Sequence, residues 1–292
     1  MAFFIKYEFW QNYLNELQRR NIPVYSVSSI FRKEQIFFRW YGKSYRKVLN
    51  TFTHLFVQDE ASVQLLRTIG ITNTTVVGDT RFDRVLEICR QAKELPLVEK
   101  FKGNHTAFVA GSSWGPDEDI FIPYLNTHPE VKLIIAPHVI DESHLKEITG
   151  KLNRTVVRYT QATEEKVKEA DCLLIDCFGL LSSIYRYGEI AYIGGGFGVG
   201  IHNVLEAAVY GMPVIFGPNN KRFREAQGLL QCKGGFEIQG AEDFKKIMDN
   251  FLNNYEALDK AGKKGRKLCT RQCRCIGKDY AYSDFISRRI IQ

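Results

Sequence analysis

Short apolar or β-branched runs alternate with helical stretches of about ten to fifteen residues along almost the whole chain. A parallel strand needs a crossover helix to return to the same edge of its sheet, so this alternation is the pattern of stacked βαβ units. Strands are expected at residues 2–7, 22–28, 53–59 and 74–78, and in a second set at 106–112, 132–138, 155–160, 171–177, 189–195, 213–218 and 236–239. The charged stretch 90–104, which contains Pro96 and Gly103, interrupts the rhythm and reads as a linker between domains. The predicted class is α/β, with two Rossmann-like domains built on parallel sheets. The first, over 1–93, has too few strands to cover both of its faces, and the second, over 94–292, contains a complete doubly wound sheet.

With 45% hydrophobic and 25% charged residues among 292, the sequence is that of a packed globular protein, and disorder is excluded. Forty Lys and Arg against thirty-three Asp and Glu give a net charge of +7, which favours an acidic partner. A nucleotide, a phosphorylated sugar and an anionic membrane face all satisfy that charge. Nucleic acid is the least favoured, because aromatic and basic residues do not interleave as they do in RRM domains. The odd number of cysteines, seven, and their apolar surroundings point to reduced thiols in the cytoplasm. Cys269, Cys273 and Cys275 lack a fourth ligand at useful spacing, so no metal site is expected. Lys6 and Glu8 come too early for a signal peptide or a membrane span, and no later segment is apolar enough to span a bilayer. Membrane contact is therefore expected to be peripheral.

Residues 190–218, IAYIGGGFGVGIHNVLEAAVYGMPVIFGP, read as a buried strand, a Gly-rich turn, a helix starting near His202 and a further strand. Gly194, Gly195, Gly196, Gly198 and Gly200 leave room for main-chain amides to face an anion at a helix N-terminus. Asn203 and Glu206, three residues apart on one helix face, suit a pair of vicinal ribose hydroxyls. A turn that only packs helix on strand, with a solvated Glu206, explains the same glycines. His138 closes the run IIAPH at the carboxyl end of a strand, where open α/β sheets bind ligands, and reads either as a contact to ligand or as a satisfied strand-end residue. Phe178, Gly179 and Leu180 form the next strand-to-helix turn. Ser112 and Ser113 are read first as N-caps of a helix beginning near Pro116, and second as hydroxyl donors to a phosphate or carboxylate.

The whole run GGGxxxGxHNxLEAAxxGxPVxxGP, followed by a helix with Phe223 and Glu225, resembles the 3-deoxy-D-manno-octulosonic acid (Kdo) transferases of lipid A assembly. Four more segments fall in that family's order: FIKYEFWQNYL at 4–14, VVGDTRFD at 76–83, AGSSWGPDED at 110–119 and IIAPH at 134–138. The resemblance implies a GT-B glycosyltransferase that is inverting and metal-independent. Its reaction would move Kdo from CMP-Kdo to a lipid A precursor (lipid IVA) in lipopolysaccharide core biosynthesis, at the cytoplasmic face of the bacterial inner membrane. It implies no cofactor beyond the donor substrate, with amides and a helix dipole replacing a metal ion.

Carried over by motif, CMP would be held by Pro137, His138, Phe178, Gly179, Leu180, Asn203, Val204, Leu205 and Glu206. Ser112, Ser113, Gly195, Gly196 and His202 would lie near the phosphate, and Glu8 and Arg81 on the acceptor side. This sequence departs from the pattern in having no arginine before His138 and in its tail from about residue 265. The turn with the family's catalytic glutamate has no match, so that base and a membrane-anchoring helix are expected upstream of Met1. The alternatives are another GT-B transferase or a UDP-sugar 2-epimerase, and, outside enzymes, a nucleotide-binding module.

Overall fold

Among residues 1–272, which the computed structural model describes, eleven strands form, and each overlaps one of the apolar runs. By their contacts the described residues divide into two units, Met1–Asp83 and Arg84–Arg271. In the first unit β1 (Ala2–Ile5), β2 (Val24–Ser29), β3 (His54–Val57) and β4 (Thr74–Val76) make a parallel sheet in sequence order. Leu14 of α1 (Gln11–Arg19), Val48 and Leu49 of α2 (Lys43–Leu49) and Val63 and Leu66 of α3 (Glu60–Arg67) bury against this sheet. The Asp59 carboxylate accepts the Ser62 N–H at 2.7 Å and so fixes where α3 starts. α4 (Thr80–Arg90) follows β4.

The second unit is the one that positions the candidate site. β5 (Thr106–Ser113) lies at the centre of a seven-stranded sheet, with β6 (Val131–Pro137), β8 (Cys172–Leu174) and β7 (Val156–Arg158) on one side. On its other side lie β9 (Ile190–Ile193), β10 (Val214–Phe216) and β11 (Gly235–Glu237), and every pairing is parallel. The chain builds outward from β5 in one direction and then crosses back to build in the other. A crevice therefore opens at the carboxyl ends of β5 and β9. Phe108, Phe121, Tyr192 and Phe244 pack ring against ring beneath it and are fully buried. Burial on this scale contributes about 1.5–3 kcal/mol per large apolar side chain.

The expected linker is a packed element. α5 (Pro96–Lys102) starts on a proline that needs no helical N–H, and it buries Leu95, Val98 and Phe101. Gly103, at φ +51°, ends it. Residues 84–93 also cluster with the second unit. Past residue 265 the chain continues as α13 (Tyr255–Gln272), with Cys269 buried; Cys273 and Cys275 lie outside the described residues. No helix among the described residues is long and apolar enough to cross a membrane.

One device recurs in both sheets. β2 and β5 each slip register at the next-to-last residue, and there Ser28 (φ 57°) and Ser112 (φ 53°) adopt the left-handed conformation. A side chain costs about 1–2 kcal/mol in that region. Each strand thus ends in a strained bulge that turns its last residues out of the pleat.

Candidate functional site

The floor of the crevice is organised by one carboxylate. β5 runs into Trp114, which precedes α6 (Gly115–Asn126), and Asp117 in the first turn of that helix is 1% exposed. Its oxygens accept the Trp114 N–H at 3.0 Å, the Gly195 N–H at 2.9 Å and the Tyr192 hydroxyl at 2.8 Å. It caps its own helix and at the same time ties the β9 loop to it. A Cβ on Gly194 would come within 2.6 Å of Ser113 Cα, and one on Gly196 within 2.6 Å of Gly217 Cα. Only residues without a side chain allow the three strand-end loops to approach this closely.

Of the five glycine amides expected to cradle an anion, four are taken by acceptors within the protein. Gly194 donates to the Gly111 carbonyl, Gly195 to Asp117, Gly198 and Gly200 to the Gly195 carbonyl, and His202 to the Gly194 carbonyl. The helix expected from near His202 starts only at Leu205 and ends at Ala208, as α10. Asn203 Oδ1 accepts the Leu205 N–H at 3.2 Å, residues 202 and 203 stay outside the helix, and four helical residues carry little dipole. The packing reading of the glycines is the one this geometry supports.

Side chains supply the donors instead. The Trp114 indole stacks on His138 (centroids 4.6 Å apart, 26° between planes), and His138 stacks on His202 (4.4 Å, 27°). Trp114 Nε1 donates to His202 Nε2 at 3.4 Å. His138 is exposed and is held in place by its N–H on the Ser113 carbonyl, while Pro137 is buried in β6. Burial first, and then the nearby His138, pull His202 below the ordinary histidine value, against the opposing charge of Asp117. Beyond the rings, Asn203 Nδ2 donates to Glu206 Oε1 at 2.9 Å. Burial raises the Glu206 carboxyl, and the Asn203 bond only partly offsets this. Val204 and Leu205 point into the core, so a ligand would meet them through the main chain.

The remaining expected residues divide. Neither serine caps α6. Ser113 donates at 2.9 Å to the fully buried Glu118, whose other oxygen pairs with His144 Nε2 at 3.0 Å, and Ser112 occupies the bulge. Burial lowers His144, but the Val139 carbonyl and the Glu118 carboxylate outweigh it and hold the imidazole above its ordinary value. Phe178 is 80% exposed and Gly179 sits at φ +84°, at the turn before α9 (Leu181–Ile184). That turn lies along the same edge, because Leu181 and Tyr185 fill the space where a Gly111 side chain would be. Glu8 and Arg81 belong to the first unit: Glu8 is exposed, and the Arg81 guanidinium is engaged with Asp79 at 2.6 and 2.8 Å.

Sequence reasoning missed Trp114 and Asp117. The available signals were the family-like segment at 110–119, which contains both residues, and a Pro–Asp pair shortly after a strand, the composition of a helix's first turn. It missed Asn220 too, a fully buried amide that holds the β10 loop through Gly217, Glu237 and Gln227.

Residues 1–84 match the family model of 3-deoxy-D-manno-octulosonic-acid transferase (kdotransferase). The 3-deoxy-D-manno-octulosonic acid transferase of Rickettsia bellii is 25% identical over 262 residues, which is 87% of this chain and 62% of that protein. Its counterpart in Aquifex aeolicus is 27% identical over 234 residues, 78% of this chain and 62% of that protein. The chain is related to the Kdo transferases. It spans 62% of the length of these two curated relatives and 57% of the counterpart in Rickettsia prowazekii.

Among solved structures, the C-terminal CMP-Kdo binding domain of WaaA from Acinetobacter baumannii superposes at TM-score 0.51 and 21% identity, covering 64% of this chain and 96% of that domain. A UDP-N-acetylglucosamine 2-epimerase superposes at TM-score 0.60 and 13% identity, covering 96% of this chain and 72% of the enzyme. These likenesses give the fold, an α/β architecture of parallel sheets of the GT-B type shared by Kdo transferases and nucleotide-sugar epimerases.

Proposed function

We propose that the chain is the donor-binding part of a Kdo glycosyltransferase of lipopolysaccharide core synthesis, acting on CMP-Kdo and a lipid A precursor at a membrane surface. The observation that carries this reading is the grouping of Trp114, His138 and His202 with the Asn203–Glu206 pair at the carboxyl edge of the seven-stranded sheet. The matches to Kdo transferases along most of the chain support it.

In this reading Glu206, oriented by Asn203, accepts hydrogen bonds from the ribose hydroxyls. The phosphate lies against the imidazoles, because the amides of Gly194, Gly195, Gly198 and Gly200 are already engaged. Cleavage of the donor bond builds negative charge on the CMP phosphate. An imidazole N–H that points to that position would stabilise the charge as it forms without reorganising. The reaction is inverting and uses no metal; a carboxylate that takes the acceptor proton is not assigned to any residue here.

Calorimetric titration with CMP and UDP, followed by a transfer assay with CMP-Kdo and lipid A precursor, tests the reading. CMP is expected to bind more tightly than UDP. The opposite preference would favour a UDP-sugar transferase or epimerase.

A further inference from the structure

Beside the crevice lie a buried carboxylate and an imidazole that the nucleotide reading does not use. Glu118 of α6 is fully buried, and the side chain of His144, in the first turn of α7 (Glu142–Lys151), is only 13% exposed. His144 Nε2 lies 3.0 Å from Glu118 Oε2, and its Nδ1 lies 3.0 Å from the Val139 carbonyl. A carbonyl only accepts, so Nδ1 carries a proton. A second proton then sits between Nε2 and the carboxylate, because two lone pairs would repel at that distance. Ser113 Oγ donates to the other Glu118 oxygen at 2.9 Å.

These bonds close into a ring. The His138 N–H donates to the Ser113 carbonyl at 2.9 Å, and the loop that follows is tied back through Val139, His144 and Glu118 to the Ser113 hydroxyl. Asp141 fixes the far end of the loop, its carboxylate accepting the His144 N–H at 2.8 Å. The His138 imidazole is exposed, and among the described residues no hydrogen bond reaches it. Its place is set by stacking with Trp114 and His202 and by the backbone that carries it.

A buried ion pair adds little net stability, since well-packed apolar residues of the same volume often do as well or better. Apolar residues cannot hold a carbonyl oxygen, however. We infer that His144 is a positioning residue: oriented by Glu118, it donates to the Val139 carbonyl and so fixes the loop that presents the His138 imidazole to the anionic group of the ligand. That carbonyl is one peptide unit away from His138, and a planar peptide passes a rotation on to its neighbour. The inference deepens the reading above and rests on it for the identity of the ligand.

Two amide substitutions in the full chain separate the two bonds of the imidazole. H144N puts an amide N–H where Nδ1 stood and keeps the Val139 bond, whereas H144Q puts one where Nε2 stood and keeps only the Glu118 bond. CMP affinity is expected to stay within about threefold in H144N and to fall roughly tenfold in H144Q. A second readout needs no ligand. The chain has three tryptophans, so in a W10F/W40F background only Trp114 emits. A stacked imidazole quenches an indole, and Trp114 emission should therefore rise in H144Q and stay unchanged in H144N. E118L/H144F replaces the pair by apolar residues and guards against a folding defect. It should melt no lower than the natural chain and yet lose CMP affinity and quenching as H144Q does. Equal affinity and emission in H144N and H144Q would overturn the inference. So would E118L/H144F that binds CMP and quenches Trp114 as the natural chain does. If the natural chain does not bind CMP, the nucleotide reading fails alone, since Trp114 emission still tests the role of His144.

Discussion

At the scale of single residues, the site is defined by what each polar group is already bonded to. Glu206 keeps one oxygen for Asn203 and has the other free to face a ligand, so Glu206→Ala is expected to weaken CMP binding by roughly 10–100-fold in calorimetry. Unchanged affinity would remove it from the site. His202 titrates below the ordinary histidine value of 6.5, and the unliganded fold therefore loses a little stability as pH falls through that region. A bound phosphate is expected to reverse the preference and draw in a proton, at the cost of the bond that His202 Nε2 accepts from Trp114. CMP affinity is then expected to rise by up to about tenfold per unit as pH drops from 7 towards 6, and H202Q should flatten the profile. His144 has the opposite sign. Its raised value means that the proton on His144 stabilises the fold while Glu118 is ionised, and that this contribution is lost as pH rises through the folded histidine value; burial raises the Glu118 carboxyl, so the pair is also lost in acid. Urea midpoints should therefore fall as pH rises above the ordinary histidine value in the natural chain and not in H144Q. The sequence made His202, Asn203 and Glu206 legible because they stand in a dense motif, and His138 because it closes a strand at the sheet's carboxyl end. Asp117 was not, because a carboxylate in a helix's first turn looks the same whether it faces water or binds a neighbouring loop.

At the scale of elements, strands were readable and short helices were not. β6, β8, β9 and β10 were legible because a strand buried on both faces has to be apolar throughout, a demand that shows directly in composition; β1, β4 and β7 are less buried and were legible from their β-branched and aromatic residues. α5 and α10 depend on tertiary contacts instead: three side chains docking on the second unit turned a charged stretch into a helix, and a side-chain turn at Asn203 delayed one. The glycine turn allows a contrast between neighbouring positions. Gly196→Ala puts a methyl group into the Gly217 backbone and is expected to cost about 1–3 kcal/mol in urea unfolding. Gly198→Ala meets no atom nearer than 4.0 Å and should leave stability close to unchanged. If both substitutions cost the same, the glycines would be needed for flexibility and not for close approach.

At the scale of the whole molecule, each unit has a core of its own, and the residues assigned to nucleotide all lie in the second. Hydrogen exchange with saturating CMP is expected to slow amides in the β5, β6 and β9 loops and to leave the strands of the first unit unaffected; protection spread evenly over both units would argue against a site confined to this edge. The contact of Gly194 with Ser113, and of Gly196 with Gly217, has a further consequence. A platform made of peptide groups has no rotamers to freeze when a guest arrives, and it does not change shape when a neighbouring side chain is replaced. Exchanging one pyrimidine or one sugar for another then requires new residues only around the rim, which is how a single scaffold can serve enzymes with different donors.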